Sequence, residues 1–144
     1  MANHYTHFSC LLDLRDPAKV EHAMALFAQL RAEDEEADEP QWCGFEIGLQ
    51  DDAGSAILWL HDDDHGDVEN LVKFVLRLAE DLDLTGLWGF DYAETCSRPI
   101  IGSYAGGAHV IDLKSRKSMG WFNTRDWLSA ARIGDDNGVM EGQV

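Results

Sequence analysis

The order in which two hydrophobic periods alternate along the chain constrains its fold more than any other feature. Val20, Ala23, Met24, Phe27 and Leu30 recur at helical spacing, as do Val68, Leu71, Val72, Val75, Leu78, Ala79 and Leu82. Apolar residues at i, i+3, i+4 and i+7 form one buried stripe on a helix. Asp16-Pro17 precedes the first stretch and Asp67 the second, residue types that open helices. The spacing predicts helices over about 17–34 and 67–83. Strand patterns surround them. HYTHFSCLLDL at 4–14 is aromatic and apolar, Phe45, Ile47 and Leu49 alternate, and Ala56 to Leu60 is apolar on both faces. Leu87 to Ala93 sets Trp88, Phe90 and Tyr92 on one side of a further strand, because strand side chains alternate.

The resulting order, β-α-β-β-α-β, is the ferredoxin-like split pattern. It predicts an α+β fold with a mainly antiparallel sheet and both helices on one face. An added C-terminal β-hairpin and short helix follow. Gly102 to Gly107 reads as a glycine-rich loop, Ala108 to Leu113 as a strand, Lys114-Ser115-Arg116-Lys117 as a hairpin tip and Met119 to Phe122 as the return strand. Asn123 or Thr124 then caps a helix containing Trp127 and Leu128. This C-terminal unit is expected to cover the sheet face that the two long helices leave open. Residues 1–134 read as a single acidic α+β domain and 135–144 as a flexible tail. Trp59, Trp88, Trp121 and Trp127 are expected mostly in the core, with Trp42 exposed.

Charge narrows the function. The chain carries 27 acids against 11 bases, a net of −16. Residues 1–97 hold 22 acids and 5 bases, whereas 98–144 hold 5 acids and 6 bases. Such a field disfavours direct binding of nucleic acid or anionic membranes and favours basic protein surfaces. No apolar run approaches the roughly 20 residues that cross a bilayer, and Met1 to His7 lacks the features of a signal peptide. Cys10, Cys43 and Cys96 are odd in number and form no Cys-x-x-Cys pair, which predicts free thiols and a cytoplasmic location.

The acids cluster. Glu33, Asp34, Glu35, Glu36, Asp38 and Glu39 make one run. They oppose the helix dipole, so the end of the first helix is expected to fray. Trp42 beside this run would serve as an aromatic anchor, and Asp62, Asp63 and Asp64 form a second cluster. These ten residues are the candidate partner-binding set. The leading reading is a non-enzymatic protein-binding module that needs no cofactor. In its specific form it is a nucleic-acid mimic that inhibits a nucleic-acid-binding defence protein, with carboxylates at 33–39, 51–52, 62–69 and 80–83 imitating phosphates spaced about 1.7 Å apart along a duplex axis. A second reading is a metal-dependent hydrolase centred on His61 to Asp67, with His61, Asp63 and His65 as ligands. Consecutive residues cannot all face one point, and acids before a helix suit its N-terminus, so a helix-capping loop is the primary expectation there. A third reading is a structural homo-oligomer pairing through its sheet. No catalytic residue emerges. Gly102 to Gly107 lacks the Gly-Lys-Ser/Thr ending of a phosphate loop, and Cys96 has no assignable base.

In the stretch Gly86 to Leu113, an aromatic strand leads to Thr95-Cys96-Ser97-Arg98-Pro99 and then to Gly106-Gly107 ahead of a hairpin. The stretch resembles a segment of small uncharacterised proteins of phages and mobile elements. The resemblance implies a small accessory or counter-defence protein and brings no activity with it.

Overall fold

The first predicted strand is divided in two, and that division organises the molecule. The computed structural model describes residues 3–39, 44–50 and 54–134. Its elements are β1 (His4–His7), β2 (Ser9–Asp13), α1 (Ala18–Glu35), β3 (Glu46–Leu49), β4 (Ile57–His61), α2 (Val68–Leu82), β5 (Leu87–Cys96), β6 (Ala105–Asp112), β7 (Lys117–Asn123) and α3 (Thr124–Arg132). The fold is α+β, with two antiparallel sheets ordered β1-β5-β6-β7 and β2-β4-β3. Residues before Phe8 pair with β5, from His4 opposite Cys96 to His7 opposite Ala93. Residues after it pair with β4, from Ser9 opposite His61 to Asp13 opposite Ile57. The one sheet expected from the sequence is therefore split at Phe8.

Backbone groups at such a switch need new partners, because an unpaired buried amide is costly. The loop after β4 supplies them. The Phe8 amide donates to Asp62 Oδ1 at 2.8 Å, and the Asp62 amide donates to the Phe8 carbonyl at 3.0 Å. The Gly66 amide similarly donates to the Thr6 carbonyl at 2.9 Å.

The helices start where the sequence predicts, α1 after Pro17 and α2 after its N-cap Asp67. Asp16 Oδ1 accepts from the Ala18 amide at 3.0 Å, and Asp67 Oδ1 accepts from the Asn70 amide at 3.0 Å. α1 buries Ala23, Leu26 and Phe27, and α2 buries Leu71, Phe74, Val75, Leu78 and Ala79. These residues join Leu12, Leu58 and Leu60 in one core. The neighbours of opposite parity, Leu11 and Trp59, stay exposed, so both helices cover the same face of the three-stranded sheet. Phe27, Phe45 and Phe74 meet with ring centroids 5.2–5.7 Å apart. Trp88 and Phe90 carry the core onto β5.

The C-terminal unit does not cover the open face. β6 pairs with β5 and β7 with β6, so the hairpin widens the four-stranded sheet sideways. Ala105 to Gly107 belong to β6 and are not a loop. α3 has no buried residue. Leu87, Val110 and Phe122 consequently remain exposed, which an antiparallel sheet tolerates because one face can meet water. The tryptophans also depart from expectation. Trp88 is buried, while Trp59, Trp121 and Trp127 are exposed. Trp42 and residues 135–144 lie outside the described residues. Among the described residues, no helix is long and apolar enough to cross a membrane.

Candidate functional site

Sheet register brings the two acidic clusters to one end of the molecule. α1 runs towards the start of β3, where Glu46 pairs opposite His61, the last residue of β4. The Arg31 end of α1 and the loop that follows β4 are thereby brought to the same end of the three-stranded sheet. The Arg31 guanidinium binds Glu46 at 2.9 Å and the Phe45 carbonyl at 3.1 Å. The Glu46 hydrogen bond is the main cause that raises its pKa, burial opposes this, and Glu46, Asp63 and Glu35 add their negative fields.

Helix α1 persists through Glu35 instead of fraying earlier, although no base neutralises its last turn. Glu33 accepts from the Gln29 amide group at 3.1 Å, and Asp34 is half-buried. Glu35, Glu36, Asp38 and Glu39 are exposed, and no ion pair holds any of them among the described residues. The clusters at 33–39 and 62–64 thus form a patch at one end. Asp81, near the end of α2, is instead tied to His22 at 3.1 Å and to Arg77 at 3.3 Å. Asp51 and Asp52 lie outside the described residues.

The loop does not assemble the trio expected of a metal site. His61 Nδ1 bonds the Asp62 carbonyl at 2.9 Å, and its ring lies 4.0 Å from that of Trp59. Asp63 Oδ1 accepts from the His65 amide, and the His65 ring stacks on Tyr5 at 5.2 Å. His61, Asp63 and His65 are spent on separate local contacts. What the fold gathers is His7, Asp62 and Asp64, with ligand-type atoms within 4.8 Å of one another. The Asp62 carboxylate already accepts from the Phe8 amide, the Asp64 amide at 2.9 Å and His7 Nδ1 at 3.2 Å. Burial alone would push its carboxyl up, but these three donors together hold it below its ordinary value. Asp62 acts as the clamp of the sheet switch. The sequence hid this partnership because His7 lies 55 residues away.

Beside the acidic end, where α2 begins, a cleft of about 340 Å³ opens over the four-stranded sheet. Asp67 and Glu69 line it from the helix, Tyr92 and Glu94 from β5, and Trp121 from β7. A second cleft of about 260 Å³ shares Tyr92 and Glu94 and reaches Arg125 at the start of α3. Arg125 bonds Glu94 at 3.5 Å and the Gly102 carbonyl. Gly107 makes room for the floor, since a Cβ there would stand 2.6 Å from the Tyr92 hydroxyl and collide with the Phe122 carbonyl. The paired glycines, read from sequence as a loop, are strand residues, and Gly107 admits the Tyr92 ring. The alternation of Trp88, Phe90 and Tyr92 signalled the Tyr92 side of the cleft, but nothing local signalled Trp121.

Trp121 is held from behind. Its ring centroid lies 4.1 Å from that of His109, which is 4 % exposed and bonds Ser118 Oγ through Nε2 at 2.8 Å. His109 Nδ1 is buried without a hydrogen-bond partner. Burial lowers the imidazole pKa, so the folded protein holds the ring neutral. The unfolded chain then takes up the proton first, and stability must fall as pH drops below about 6.5. We expect His109 to contribute a slope of up to about 1.4 kcal/mol per pH unit in that window. Urea unfolding between pH 7 and 5 should show a shallower decline for His109→Gln; identical slopes would refute the assignment.

Two of the three thiols, Cys10 and Cys96, lie among the described residues; Cys43 lies outside them. Burial, with a smaller push from Asp91, raises the Cys10 pKa to about 12, and Cys96 is buried. No protein-family model, no curated protein and no solved structure matches the chain.

Proposed function

We propose that the protein is a non-enzymatic binding module whose acidic end engages a basic protein surface, in its specific form as a nucleic-acid mimic that occupies a nucleic-acid-binding protein. The observation that carries this reading is that the two acidic clusters bring their negative fields to one place, since Glu35 and Asp63 both act on Arg31. Two segments about thirty residues apart in sequence present one field, and the Arg31 guanidinium is already engaged by Glu46. Exposed carboxylates of this kind contribute little to stability, so their concentration is better accounted for by steering a partner. A ferredoxin-like core opened at its first strand is supported by the flanking of segment 4–13 by β5 on one half and β4 on the other, with β3 beyond β4.

The test is association at 0.1 M and 1 M salt, over which the Debye length falls from about 10 Å to about 3 Å. Partners captured from host lysate at low salt should be released at high salt. A variant combining Glu35→Gln, Glu36→Gln, Asp38→Asn and Glu39→Gln should associate about tenfold more slowly or worse with its unfolding curve unchanged. Displacement of the partner's DNA or RNA would support mimicry specifically. Capture insensitive to both salt and neutralisation would mean that the acids only solubilise the protein.

A further inference from the structure

The cleft at the start of α2 has a chemistry distinct from the rest of the acidic end. Three carboxylates, from Asp67, Glu69 and Glu94, surround two aromatic rings, and no base is among its lining residues. Asp67 is committed to capping α2, and Glu94 is shared with Arg125. Glu69 is exposed and in no ion pair among the described residues. The indole of Trp121 is 52 % exposed although it is fixed in place by the buried His109. An aromatic held rigid yet left half open loses little freedom when a ligand covers it.

We propose that this cleft seats one arginine side chain of the partner, its guanidinium on the Trp121 indole and its N–H groups directed to Glu69 and Glu94. A cation over an indole is attracted by the ring quadrupole, and tryptophan is the best such platform. The volume, at the lower end of the range of about 300–1,000 Å³ for ligand sites, suits a side chain better than a cofactor. A metal ion fits poorly, because the acids of the cleft are not gathered to share an ion; among the described residues only His7, Asp62 and Asp64 are. Carboxylates spread around aromatic walls favour a delocalised cation on an apolar stem. Arginine meets this better than lysine, being planar, forked and weakly hydrated. The adjoining cleft already holds such a group, since Arg125 bridges Glu94 and the Gly102 carbonyl. The inference deepens the reading of a basic partner and rests on it only for the source of the arginine.

The probe is the blocked peptide Gly-Gly-Arg-Gly-Gly, titrated into the full chain at low salt and followed by amide chemical shifts and tryptophan fluorescence. Shifts should centre on Glu69, Tyr92, Glu94 and Trp121. The citrulline peptide, of the same shape without charge, should bind at least tenfold more weakly, and the lysine peptide several-fold more weakly. Trp121→Ala should weaken the arginine peptide about tenfold, and the exposed Glu69→Gln, which leaves folding undisturbed, should weaken it several-fold. The variant neutralised at Glu35, Glu36, Asp38 and Glu39 should keep its affinity for the peptide, so that loss of the cleft and loss of the charged end are read separately. Equal binding of citrulline, shifts centred elsewhere, or full affinity in Glu69→Gln would overturn the proposal. Lysine binding as tight as arginine would overturn the assignment to arginine.

Discussion

Asp62→Ala should lower the unfolding free energy by about 2–4 kcal/mol. The carboxylate is the partner of the Phe8 amide at the point where the strand leaves one sheet for the other. It also closes the loop through the Asp64 amide and holds His7. Removing it strands the Phe8 amide beside a side chain that is 4 % exposed, where an unmet donor costs about 1–3 kcal/mol. Asp62→Asn retains one acceptor oxygen and should lose roughly half as much. The acid dependence has a definite sign. Because the folded carboxyl lies below its ordinary value, its contribution is present above a pH of about 3.9 and is lost as pH falls through the folded value. Equilibrium urea unfolding at pH 7 and across pH 5 to 2 measures both. A loss below about 0.5 kcal/mol at pH 7, within the range of ordinary surface changes, would show that the Phe8 amide finds another partner and that the clamp is dispensable.

Phe74→Ala should cost about 3–5 kcal/mol. Its side chain is fully buried and packs against both Phe27 of α1 and Phe45 before β3. Truncation removes the transfer free energy of the ring and leaves a cavity where α1, α2 and the start of β3 meet. Phe74→Leu, which refills much of the space, should cost far less. The decisive comparison is with Phe122→Ala on the open sheet face, where the ring is 47 % exposed and the loss should stay below about 1 kcal/mol. Similar losses at the two positions would contradict the assignment of core and open faces. They would also indicate that the open face is covered in solution.

The two long helices were legible from single residues. Val20 to Leu30 and Val68 to Leu82 repeat at helical spacing, Asp67 caps the second as its side chain predicts, and Asp16 accepts from the first amide of the first. Strand β4 was legible because Leu58 and Leu60 lie in a run bounded by polar turns. The division at Phe8 was not. Residues 4–14 form one unbroken strand-like pattern, and the break follows from two different partners, β5 and β4, that begin some fifty to ninety residues downstream. The acidic run at 33–39 was plain in the sequence, but that Glu35 and Asp63 both act on Arg31 was not. Trp59 and Trp121 were misplaced for a related reason. An aromatic residue in a strand reads as core, yet which face is covered depends on where the helices and the hairpin come to rest.

What the sequence determined by itself is therefore local: helix positions, caps, the alternation of buried and exposed side chains, and the sign and concentration of charge. Each follows from interactions within a few residues, or from simple summation of charge. What only the tertiary structure decided is which segments became neighbours. The switch of sheets, the Asp62 clamp on Phe8, the fusion of two acidic clusters and the cleft beneath Trp121 each join residues separated by tens of positions. Such contacts depend on how the twisted sheets and two helices share one core, and no period or motif along the chain encodes them.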